Sequence, residues 1–214
     1  MKKSLLLLLL GLLALAPARQ ALAQEARSWN RSRSMANGFT RNPTGPWSFM
    51  ENTSGVHDPA NFRLLPDFSG DCNGMGPFPC WRDLQYVQGP VFGMATRPFD
   101  DRGVHHHQGL PMLHPGEAGP VILRWQSPVA GNVTLLARIA SIDPNCCHEG
   151  ITWALRNNAG MAIQGGLLAQ RRSIDVLAEN LPIQVGESLY FEIGINRTVW
   201  NDSTTLDLLI TSQP

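Results

Sequence analysis

From residue 121 onward, apolar and polar positions alternate with a period of two. Val121, Leu123 and Trp125 fall on one side of an extended segment, which Gln126-Ser127-Pro128 ends before the Ala130-Gly131 turn. Val133, Leu135, Ala137 and Ile139 share one face of a longer segment that runs to Ile142. Ile151, Trp153 and Leu155 repeat the pattern, Asn157-Asn158-Ala159-Gly160 supplies a hairpin turn, and 161–168 returns. Residues 173–185 read as two short strands around Pro182. Gly186-Glu187 turns the chain into 189–193, and 206–210 is the last strand. Successive side chains of a strand point to opposite faces, so each segment has one face for a core. The competing reading, a helix over 167–178, fits less well, because Ser173-Ile174-Asp175-Val176 alternates.

Residues 39–120 carry no such period. They are dense in Gly and Pro, as in "GDCNGMGPFPCW" and "VQGPVFGMATRPF". Proline removes a backbone donor and glycine disfavours helix, so short strands joined by turns are expected. The whole predicts an all-β chain: an antiparallel β-sandwich, jelly-roll-like, with a Gly/Pro-rich irregular N-terminal half.

The start of the chain follows another logic. Met1-Lys2-Lys3 is positive, 5–15 is apolar apart from Gly11, and Ala21-Leu22-Ala23 has the small-x-small form of a cleavage site. This is the pattern of a secretory signal peptide over 1–23, leaving Gln24 first. The apolar run is about half the roughly 20 residues a spanning helix needs. The expected organisation is therefore a leader (1–23), a polar, mobile lead-in (24–38) and a single β-sandwich domain (39–214). The expected location is secreted or periplasmic, with no membrane span. The chain stops soon after the last strand, so no C-terminal sorting anchor is expected.

Removing the leader changes the charge balance. The full chain has 17 basic and 17 acidic residues; without Lys2, Lys3 and Arg19, 14 arginines face 17 acids. A mildly acidic surface without basic clusters argues against nucleic acid as a partner.

Five stretches together carry a resemblance. "NPTGPWSF" (42–49), "LHPG" (113–116), "VILRWQSPVAG" (121–131), "IQVGESLYFEIG" (183–194) and "NDSTTLDLLI" (201–210) occur in that order. The chain resembles secreted bacterial β-sandwich modules that are similar to jelly-roll, carbohydrate-binding-module-like domains. That resemblance implies the sandwich fold, and a glycan or another extracellular ligand held by the loops. The chain departs from the pattern in Gly186-Glu187, where Gly-Asp is usual, in its cysteines and in the "VHHHQG" insertion.

Candidate chemistry follows from residue type. Trp81 and Trp200 sit in polar loops beside Arg82 and Asn201, and aromatic faces flanked by polar groups suit sugar rings. Trp125 and Trp153 fall on apolar-alternating strands and are expected in the core. His105 and His107 would share one face of a strand, a workable start for a zinc site. Asp143 and Asp202 offer hard oxygen ligands for calcium, a cofactor the resemblance makes more plausible. No GxSxG, HExxH, P-loop or GxGxxG is present, so catalysis has thin support. The leading reading is a glycan-binding module for a polysaccharide. A structural protein bound to an envelope component comes second, and a metal-dependent enzyme using the histidine run third.

The cysteines are Cys72, Cys80, Cys146 and Cys147. Adjacent Cα atoms lie about 3.8 Å apart, whereas disulfides want about 4.4–6.8 Å, so a Cys146–Cys147 ring is strained. Two arrangements remain: Cys72 with Cys80, or each of them with one of the vicinal pair. The second ties the irregular half to the strand half, closes a loop of roughly 75 residues, and is the one expected. Soft-metal binding by Cys146, Cys147 and His148 is the alternative.

Overall fold

The structure, a computed structural model, describes residues 25–36, 39–144 and 149–213. The expected leader (1–23), Cys146, Cys147 and His148 lie outside the described residues.

The described residues form sixteen strands, one short α-helix and two single-turn 3-10 helices. The irregular half holds β1 (Ser28–Asn30), α1 (Arg31–Ala36), β2 (Trp47–Glu51), β3 (Arg63–Leu64), β4 (Asp67–Ser69) and β5 (Cys80–Arg82). After these come β6 (Val91–Met94), β7 (Phe99–Asp101), β8 (Val104–His106) and β9 (Pro111–His114). The regular half holds β10 (Val121–Gln126), β11 (Gly131–Ser141), β12 (Ile151–Arg156) and β13 (Ala162–Leu168). It closes with β14 (Ser173–Ile183), β15 (Ser188–Ile195) and β16 (Thr204–Ser212).

Two antiparallel sheets face each other. The first runs β14-β11-β16-β9-β6-β5-β4, with β1 added on β16; the second runs β13-β12-β15-β10-β2-β3. From β9 to β16 the chain changes sheet at every connection but the β12–β13 hairpin. The inner orders β14-β11-β16-β9 and β13-β12-β15-β10 are those of an eight-stranded jelly roll. The fold is therefore an all-β antiparallel sandwich, as the alternation predicts.

The predicted inward faces meet in one core. Val133, Leu135, Ala137 and Ile139 on β11 join Leu206, Leu208 and Ile210 on β16. Opposite them lie Val121, Leu123 and Trp125 on β10 and Leu189, Phe191 and Ile193 on β15. Trp47 from β2 is fully buried, and Trp153 packs half-buried against the same cluster.

Three expectations need correction. The segment 24–38, read as mobile, is built into the sandwich over its described part. β1 pairs with β16, Trp29 packs on Trp125 with ring centres 5.2 Å apart, and Arg31 and Met35 are buried. Its apolar residues are too few to show a period, but β16 offers them a free edge.

Residues 173–183 form one strand rather than two. β14 is an edge strand, where the missing N–H of Pro182 breaks no ladder. Asn180, at φ 54°, lies where the register against β11 shifts between Val133 and Leu135.

The third correction concerns the cysteines. Cys72 and Cys80 are bonded to each other, with Cα atoms 5.6 Å apart, so neither crosslinks to the vicinal pair. The loop between them turns sharply: Asn73, Gly74 and Gly76 all have positive φ, and Cys72 N donates to Phe78 O at 2.9 Å. That local hairpin brings the thiols together without help from the other half.

Candidate functional site

One end of the sandwich carries a cavity of about 290 Å³. Four loop segments surround it: the 72–75 turn, residues 87–89, the tip of the β7–β8 hairpin, and the 199–203 loop before β16. Met75, Val91 and Met112 contribute apolar wall. Polar groups come from Asn73, Gln88, Arg102, Asn201, His106 and His114. Trp200 stands at this cavity and remains 59% exposed.

Backbone geometry marks the same place. Asn73, Arg102 and Asn201 line the cavity, and all three have positive φ, at 55°, 47° and 64°. Such conformations are uncommon outside glycine and collect at ligand clamps and tight turns. Asn73 is held from behind, since the Arg82 guanidinium donates to its Oδ1.

The histidine run alternates as a strand should. His106 points inward and stacks on Phe99, with ring centres 4.5 Å apart and planes 9° apart. Burial lowers its pKa, favouring the neutral ring. His114 is lowered in the same way, mainly by burial, although its Nδ1 meets Pro115 O at 2.8 Å. Both shifts favour the neutral ring at this cavity.

Of the residues proposed for ligand contact, Trp200 and Asn201 line the cavity. Trp81 and Arg82 do not. Trp81 is buried, packs on Phe68 with ring centres 5.3 Å apart, and donates from Nε1 to Phe39 O at 2.6 Å. The "PCWRD" stretch looks like a loop in sequence because Pro and Cys flank it, but Trp81 belongs to β5. Sequence reading missed Asn73, Gln88, Arg102 and His106. The Asn-Gly and Arg-Gly pairs at 73–74 and 102–103 are turn signals, but they do not show which turns meet.

The two metal proposals separate in space. Asp143 lines the same cavity, and Asp202 is buried beside it. The Asp202 carboxyl is pushed up to about 7 by burial, then by Glu149 and Asp143. Asp202 Oδ2 is buried without a hydrogen-bond partner. His105 and His107 lie elsewhere, along a different cavity on the outer face of the first sheet. Among the described residues, no group of three or more His, Cys, Asp or Glu side chains is arranged to hold a metal. Nor is any described helix long and apolar enough to cross a membrane.

No protein-family model matches the chain, and no curated protein matches it. Likenesses appear among solved structures. A CBM36 carbohydrate-binding module in complex with calcium and xylotriose is 13% identical, with a TM-score of 0.34 over 56% of this chain and 87% of that one. A family 35 carbohydrate-binding module from Clostridium thermocellum is 13% identical, with a TM-score of 0.33 over 58% and 98%. The K2 cleaved adhesin domain of Lys-gingipain is 10% identical, with a TM-score of 0.42 over 87% and 100%. At these values no residue of this chain takes a role from a neighbour.

Proposed function

We propose that this chain is an exported glycan-binding module, and that the cavity beside Trp200 holds the sugar. The observation that carries this reading is the exposed Trp200 indole at a concavity with amide, guanidinium and imidazole groups. A large aromatic left 59% exposed among polar side chains has a stacking face and hydroxyl readers in one place. The cavity volume, about 290 Å³, suits one or two sugar residues rather than a long buried chain. The resemblance of the five sequence stretches to carbohydrate-binding-module-like domains points the same way.

Export rests on the 1–23 leader, and Edman sequencing of the chain recovered from outside the cytoplasm should begin at Gln24. Binding is tested by screening the purified chain against immobilised bacterial and plant polysaccharides. The reading requires selective retention by at least one of them. Retention by none, with isolated envelope fractions capturing the chain instead, would favour a structural envelope role.

A further inference from the structure

A second site, independent of the glycan reading, lies on the outer face of the first sheet. We infer that His105 and His107 form a binding site for a divalent transition metal of the zinc, nickel or copper(II) class. Both imidazoles line a cavity of about 400 Å³ whose floor includes Ala140, Ile142 and Thr205. Their ring centres are 4.5 Å apart with planes at 77°. Two imidazole nitrogens on one zinc, each at 2.0–2.1 Å, sit about 3.4 Å from each other. Ring centres 4.5 Å apart are compatible with that separation.

The pair is also oriented for ligation. Asp100 lies opposite His105 in the β7–β8 hairpin, and its Oδ1 is 2.7 Å from His105 Nδ1. With Nδ1–H donating to that carboxylate, the Nε2 lone pair is left free to bind a metal. His106, between the two ligands, is buried and packs on Phe78 with ring centres 5.1 Å apart, which holds the hairpin against the 72–80 loop. The ligand pair therefore stands on an anchored strand rather than a free loop.

Nearby charge does not oppose a cation. Arg138 also lines the cavity, but its guanidinium is turned to β14, donating to Asp175 Oδ1 and Ser173 Oγ at 2.9 Å each. The Asp207 carboxylate lines the same cavity. Imidazole nitrogens select borderline metals over the hard cations calcium and magnesium. With two protein donors, the remaining coordination positions stay open to water or to an oxygen of a bound ligand.

The test is calorimetric titration of the tag-free chain with zinc and with nickel. One metal per chain is expected, with affinity reduced at least tenfold by His105→Ala and by His107→Ala. Asp100→Asn, which removes only the orienting carboxylate, should weaken binding about tenfold. Calcium should not compete, and Asp202→Asn and His148→Ala should bind as the parent does. All substituted side chains of the proposed site are exposed, so circular dichroism should show parental folding; an alanine variant that fails this check is replaced by asparagine. No heat at millimolar zinc, parental affinity in His107→Ala, or loss of binding in His148→Ala would overturn the assignment.

Discussion

The guanidinium of Arg31 lies 4.7 Å from the centre of the Phe49 ring, fully buried. Trp47 and Phe92 complete the cage at 5.5 and 5.2 Å. None of its three nitrogens has a hydrogen-bond partner. Burial draws its pKa well below the ordinary arginine value. A desolvated cation–π contact contributes about 2 kcal/mol or more, whereas burying an unpaired charge costs several. The apolar body of the residue docks the N-terminal segment, and its charge works against that docking.

Arg31→Met should therefore stabilise the chain by about 1–4 kcal/mol, the range seen when buried charge is replaced by well-packed apolar groups. Arg31→Ala should gain less, because it leaves a void. Urea unfolding of the three proteins checks both statements.

A second prediction concerns pH. Glu51, at the end of β2, is buried and bridged by Arg63 Nε at 2.7 Å, while Arg63 also reaches Asp83 Oδ2 at 2.6 Å. Burial, and then the Asp83 carboxyl, push Glu51 up to about 7, against the pull of Arg63. A raised carboxyl binds its proton more tightly in the folded state than in the unfolded one. Its stabilisation is complete below the unfolded value near 4.5 and is lost as pH rises to about 7. Asp202, also at about 7, acts in the same direction. The lowered His106 and His114 act oppositely: their contribution is complete above about 6.5 and falls away in acid. Comparing melting temperatures at pH 6 and pH 8 in the parent and in Glu51→Gln isolates the carboxyl. The parent should gain more on acidification than the variant does.

The Cys72–Cys80 bond closes a short loop, with a sequence separation of 8. In the chain-entropy relation, removing such a crosslink costs roughly 2.5 kcal/mol. The double variant Cys72→Ala/Cys80→Ala should show this loss in urea unfolding. Non-reducing peptide mapping should recover one fragment pair joined through 72 and 80.

The sandwich was legible where burial is one-sided. β10, β11, β15 and β16 each put alternate residues into the core, and period two shows that directly. β14 hid its continuity behind Pro182, because a sequence does not reveal that a strand lies on an edge. Arg31 and Met35 gave no sign of burial, since α1 is too short for a helical period and its charges suggest solvent. The cavity was legible only in part. Trp200 and Asn201 stand out as an aromatic–amide pair in a loop, but their partners come from turns at 73 and 102. Only the folded topology brings those turns together. Trp81 misled for the converse reason: its flanking Pro, Cys, Arg and Asp read as surface, while the strand carries its ring inward.

That contrast yields a fourth prediction. Trp81→Ala removes a buried ring and a hydrogen bond to Phe39 O, and should destabilise by about 3–5 kcal/mol. Trp200→Ala removes an exposed ring, and should change stability by no more than about 0.5 kcal/mol. Parallel urea titrations distinguish the two tryptophans.

The most direct measurement is calorimetric titration of the parent and Trp200→Ala with the polysaccharide fragment best retained in the screen. An aromatic hot spot contributes about 2 kcal/mol or more, so the variant should bind roughly 30-fold more weakly while melting as the parent does. Equal affinity in the two proteins would contradict sugar binding at this cavity.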